Sequence, residues 1–206
     1  MKHMQRVGTA MFLAGAAALV TACSEPPASP TSPAEAVFAS APPQGGPVGS
    51  TPAPRPSEEN FEIRFMTTMI DHHMMAIEMA EICLEKAVHD ELRETCEDII
   101  ATQRQEISTM QAWLRDWYGI SYEPTMKPGD EKMLERLASL SGAEFEIAFM
   151  EMMIKHHEKA IKASRHCLDK AWHTELREMC EDIIATQAAE IAQFEAWLCQ
   201  WYDRCR

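Results

Sequence analysis

The stretch FMTTMIDHHMMAIEMA, Phe65 to Ala80, decides how this chain folds, and it returns as FMEMMIKHHEKAIKAS from Phe149 to Ser164. In the first copy the apolar and histidine positions form two neighbouring stripes: Phe65, Met69, His72, Ala76, Met79, Cys83, and Met66, Ile70, His73, Ile77, Ala80, Leu84. Steps alternating between four and three residues trace one face of an α-helix. Asp71, Met75, Glu78, Ile82 and Glu85 are left on the opposite side. Both histidines therefore belong to the face that the helix buries.

Working outward, Phe61 aligns with Phe145 at an offset of 145 − 61 = 84, and the match continues from 61–118 onto 145–202. Identical pairs include His72/His156, His73/His157, Cys83/Cys167, Cys96/Cys180, Gln103/Gln187, Glu106/Glu190, Trp113/Trp197 and Trp117/Trp201. The copies differ at charged positions such as Asp71/Lys155 and Glu78/Lys162, which separates a retained inner set from a free outer surface. A second helix repeats the spacing with Leu92, Cys96, Ile99, Gln103, Glu106, Met110, Trp113 and Trp117, and Gly119 is its stop. A short turn near Ala87–Asp90 makes the two helices antiparallel neighbours. The expected fold is all-α: a ferritin-like four-helix bundle of two tandem hairpins, joined through Gly119–Asp130, with Glu131–Leu140 as an added short helix.

Residues 1–23 read as an export signal, with Lys2 and Arg6 ahead of an apolar core too short for a transmembrane helix. The ending Val20-Thr21-Ala22-Cys23 resembles a lipobox, so Cys23 is the expected lipidation site. Residues 24–57 are rich in Pro, Ala and Ser and read as a disordered tether, leaving 58–206 for the bundle. The expected location is the cell envelope or periplasm, lipid-anchored. Removing Lys2 and Arg6 from a formal charge of −13 gives −15, which argues against a nucleic-acid partner and favours cations.

Of seven cysteines, six remain after Cys23, an even number for an oxidising setting. Cys83 with Cys96 and Cys167 with Cys180 flank the two turns as hairpin staples, and Cys199 with Cys205 form a third candidate bridge; thiolate metal ligation is the alternative. If Cys83 faces Cys96, positions summing to 83 + 96 = 179 are level, which sets His73 opposite Glu106 and Met69 opposite Met110. The second copy, with 167 + 180 = 347, sets His157 opposite Glu190 and Met153 opposite Phe194. A single His-Glu pair reads most simply as a packing contact. Two adjacent histidines at a repeated glutamate level read better as metal ligands, since imidazole and carboxylate suit transition metals and nearby thioethers favour Cu(I).

Met74 and Met75 fall toward the exposed side, where copper capture or an oligomer contact would explain them. His89 and His173 sit at the turns as helix caps or solvent-facing residues, and His166, aligned with Ile82, has no assigned role. The tryptophans suit packing at the bundle end.

The segments FMTTMIDHHMMAIEMA, CLEKAVHDELRETCEDIIATQRQEI and MQAWLRDWY, with their second-copy counterparts, strongly resemble the domain of unknown function 305 family. That resemblance implies a ferritin-like bundle in a bacterial envelope and, for some members, periplasmic copper binding through His and Met. Carried over by position, it points to His72, His73, Met66, Met69 and Met110, and to His156, His157, Met150 and Met153. By the His-Glu register above, Glu106 or Glu190 would orient or join the ligand shell. Phe194 in place of a second Met110 breaks the equivalence. The expected function is transition-metal, foremost copper, sequestration or homeostasis without enzymatic turnover, other transition metals being open. The alternative is a disulfide-stapled structural or interaction module, with a second copy or an envelope protein as partner. Oxidase chemistry ranks third, because Glu106 and Glu190 lack the Glu-x-x-His spacing of di-iron bundles: Thr109 and Gln193 stand there.

Overall fold

The computed structural model describes residues 53–205; the expected signal, the Cys23 lipidation site and most of the tether lie outside them. Five helices follow one another: α1 Pro56–Lys86, α2 Asp90–Tyr118, α3 Pro128–Ala138, α4 Gly142–Lys170 and α5 Thr174–Tyr202. Helix α1 begins two residues inside the stretch read as tether. Pro56 occupies the first helical turn, where its missing N–H costs nothing and its fixed φ suits the helix.

Each hairpin turns in three residues and is closed by a buried disulfide, Cys83–Cys96 in the first and Cys167–Cys180 in the second. A third bridge joins Cys199 to Cys205 beyond the end of α5. Helix α2 ends on Gly119 at φ 65, with Gly119 N bonding Arg115 O and Ile120 N bonding Leu114 O. This is the left-handed cap that glycine adopts without steric cost. Asp203 makes the same turn after α5 at φ 59, a conformation its short polar side chain tolerates.

The hairpins meet through α1 and α4, which bury small residues (Ala76, Ala80, Ala160) alongside larger ones (Met66, Ile70, Phe149, Ile154). Helix α3 spans Pro128–Ala138 rather than Glu131–Leu140 and packs against both α1 and α4. The segment leading to it is tied down by Asp71, whose carboxylate accepts from Tyr122 Oη at 2.9 Å, Thr125 N at 2.7 Å and Thr125 Oγ1 at 3.0 Å. This cover corrects the expected exposure of Met75, which is 4 % exposed, and of Met74, which is partly buried. Helical periodicity within α1 carries no sign of an element that arrives from residue 128 onward.

Candidate metal centre

Adjacent residues on a helix point about 100° apart, so a His-His pair cannot aim both rings at one neighbour. The structure divides them. His73 turns into its own hairpin and brings Nε2 to 2.7 Å from Glu106 Oε2, and His157 does the same with Glu190 at 2.7 Å. His72 and His156 turn toward each other across the hairpin interface and stack with centroids 3.6 Å apart. The register deduced from the cysteines thus describes the inner pair, while the outer pair belongs to both halves at once.

The ring nitrogens are poorly partnered. Both nitrogens of His72, His73 and His157 and Nδ1 of His156 are buried without a hydrogen bond, as are Gln103 Oε1, Gln187 Oε1 and Glu106 Oε2. The short His73–Glu106 approach is therefore an ion-pair distance without hydrogen-bond alignment. A buried polar atom left in this state costs about 1–3 kcal/mol, so a concentration of them at one level is an arrangement that a ligand would relieve. Burial pushes the His72 imidazole down to about 3, with His73, His157 and Lys159 adding repulsion. Burial also holds His156 well below the usual imidazole range, again with its histidine neighbours and Lys159 contributing. Both rings are neutral near pH 7 and keep a lone pair available.

Among the described residues, no three His, Cys, Asp or Glu side chains come together so as to hold a metal ion. Met66, Met110, Met150 and Met153 are fully buried and Met69 is 3 % exposed, all within the hydrophobic core, and His73 and His157 are fully buried as well. Met69 and His72 share the lining of an open groove of about 440 Å³ between α1 and α4. The halves are not equivalent: where the first hairpin has Met110, Phe194 packs edge-on against Phe149 and lies 6.4 Å from the His157 ring. His166 packs edge-on against Phe61 at 5.4 Å.

Two buried carboxylates escaped the sequence reading. Glu62 of α1 accepts from Trp172 N at 2.6 Å and His173 N at 2.8 Å, capping α5 of the other hairpin; it also meets His173 Nδ1 at 2.7 Å and the Tyr118 hydroxyl. Glu146 of α4 repeats this on α2, with Val88 N at 2.6 Å, His89 N at 2.9 Å, His89 Nδ1 at 2.7 Å and the Tyr202 hydroxyl. Burial and the adjoining carboxylates push both tyrosine hydroxyls up, which keeps them proton donors. His89 and His173 are thus held inside these clasps, stacked on Trp201 at 3.9 Å and Trp117 at 3.8 Å. A signal was present: a glutamate repeated at the 84-residue offset, four residues before Met66 and Met150 on the buried stripe.

The fold and site define a class: an all-α bundle of two disulfide-closed hairpins, each burying a His-His pair of which one ring faces its own hairpin and the other faces the second hairpin. The chain belongs to the domain of unknown function 305 family, whose profile matches residues 62–198. Similar solved structures include CopM, known in apo, Cu(I)-bound, Cu(II)-bound and Ag-bound forms. The Cu(I)-bound form is 32% identical over 68% of this chain and 97% of that one, with a TM-score of 0.62. For the Cu(II)-bound form the values are 33%, 68%, 97% and 0.63. A domain of unknown function 305 fragment from Deinococcus radiodurans is 27% identical over 68% of this chain and 96% of its own, with a TM-score of 0.60. No curated protein matches the chain.

Proposed function

We propose that this chain binds copper as cargo outside the cytoplasm, for sequestration or homeostasis and without catalytic turnover. The observation that carries the reading is the set of buried, unpartnered ring nitrogens of His72, His73, His156 and His157 within a methionine-rich core. Neutral imidazoles and thioethers are a donor set suited to Cu(I). The similarity to CopM, crystallised with copper and silver, supports the same chemistry. Three disulfides fit an oxidising compartment. Export, and anchoring by a lipid on Cys23, complete the proposal.

Anaerobic titration of the full chain with Cu(I) against a competing chelator is expected to give saturable binding. That binding should weaken on the order of 100-fold or more when all four histidines are changed to alanine, since even supporting groups of a metal site change affinity by about 10–100-fold. Undiminished binding in a folded variant overturns the assignment. The 2.7 Å approach of each inner histidine to its glutamate favours a second reading, in which the pairs serve helix register in a structural or interaction module. Absence of copper binding by the parent, with a lower melting temperature in the variant, would establish that second reading.

A further inference from the structure

The stacked His72 and His156 line a cavity of about 180 Å³ that adjoins the large groove, sharing Thr68, His72 and Lys159 with it, and is also lined by Met75 and Met133. Sites for organic ligands run from about 300 Å³ upward and a water takes about 30 Å³, so this space holds a few waters or an ion but is small for an organic ligand. Four candidate donors line it, two imidazoles and two softer thioethers, drawn from three helices. His72 and Met75 come from α1, Met133 from α3 and His156 from α4. His72 presents two unpartnered nitrogens and His156 one.

The charges around the cavity favour a particular ion. Asp71 and Asp130 line it together with Lys127 and Lys159. Asp71 is already engaged by Tyr122 and Thr125, and Asp130 accepts from Lys127 N at 3.1 Å. The two lysine ammonium groups offset the two carboxylates, so no net negative charge remains in the lining to balance a doubly charged ion. Because desolvation cost rises with the square of the charge, a monovalent cation is far better accommodated than a divalent one. Imidazole and thioether together select Cu(I) over Zn²⁺, which prefers harder or anionic partners.

We propose that the two hairpins share one Cu(I) site, formed by His72 and His156 with the thioethers of Met75 and Met133. The proposal rests on the copper reading and extends it: the ion sits between the halves rather than within either, and α3 completes its shell. Met133 has no counterpart in the second hairpin, so there is one such site per chain. Helix α3, anchored through Asp71, is then a functional part of the metal centre and not merely a connection.

The test compares the full chain with a Met75→Leu/Met133→Leu double variant and a Met133→Leu single variant. Leucine conserves volume, and α3 lies at the periphery, so the single variant guards against loss of fold. Anaerobic Cu(I) titration gives stoichiometry and affinity, and copper X-ray absorption reports sulfur scatterers. The expected result is one fewer tight Cu(I) per chain in the double variant, or a weakening of that ion by about tenfold or more, with reduced sulfur scattering in both variants. Zn(II) is expected not to compete for this ion. Equal stoichiometry, affinity and sulfur signal in parent and variants overturn the shared site while leaving copper binding intact. A parent that takes up no Cu(I) overturns both.

Discussion

Glu62→Ala is expected to lower the unfolding free energy by about 3–5 kcal/mol, the range for breaking a buried charged network by removing one partner. The carboxylate is fully buried and serves two backbone N–H groups at the start of α5, the His173 ring and the Tyr118 hydroxyl. Alanine leaves all of these without an acceptor and removes a negative charge from a helix N-terminus, where it is favourable. Glu146→Ala is expected to cost a similar amount through α2. Each clasp ties one hairpin to the other, so the double variant should also lose the single cooperative transition. Urea denaturation followed by circular dichroism measures both effects. A loss below about 1 kcal/mol, the worth of an ordinary exposed cap, would show the clasps to be dispensable.

The same residue predicts an acid dependence. Burial by itself pushes the Glu146 carboxyl up, but the Tyr202 hydroxyl, the His89 N–H and ring, and the Val88 N–H outweigh it and hold the group below the usual carboxylate range. The folded value lies below the unfolded one. Its stabilising contribution is therefore complete above the unfolded carboxylate value, about 4.3, and is lost as pH falls through the folded value. Glu146→Gln should flatten that part of the stability-against-pH curve; an unchanged slope would assign the acid sensitivity elsewhere.

Removing both hairpin disulfides is the other large effect. Each closes a loop with a sequence separation of 13, for which chain-entropy reasoning gives about 3 kcal/mol per bridge. The bridges lie in different hairpins, so Cys83→Ala/Cys96→Ala combined with Cys167→Ala/Cys180→Ala should approach additivity. Their four sulfurs are buried, whereas Cys205 is exposed. In native buffer a mild reductant should open Cys199–Cys205 first, and the hairpin bridges only with denaturant. Thiol trapping with mass spectrometry reads the order, and early opening of Cys83–Cys96 would contradict the burial argument.

Much of this molecule was legible in one dimension. Alternating steps of three and four marked the buried faces of α1, α2, α4 and α5, and paired cysteines around short turns set the register that brings His73 to Glu106 and His157 to Glu190. Those are local matters: helix period, turn length and a covalent link within one hairpin suffice. Repetition at 84 residues added which positions belong inside. The division of each His-His pair was not readable, because a stripe says that both rings face inward but not which neighbour each one meets. Met75 was assigned to the wrong environment for the same reason.

Residue spacing by itself therefore determined the helices, their pairing into two hairpins and the level of the inner histidines. Tertiary structure alone decided that His72 meets His156, that Glu62 and Glu146 reach across to cap α5 and α2, and that α3 closes over Met75. The physical reason is one of range: backbone hydrogen bonding and short-loop closure act over a few residues. The approach of one hairpin to the other depends on the packing of α1 against α4 and on the two glutamate clasps, which join positions 57 to 111 residues apart.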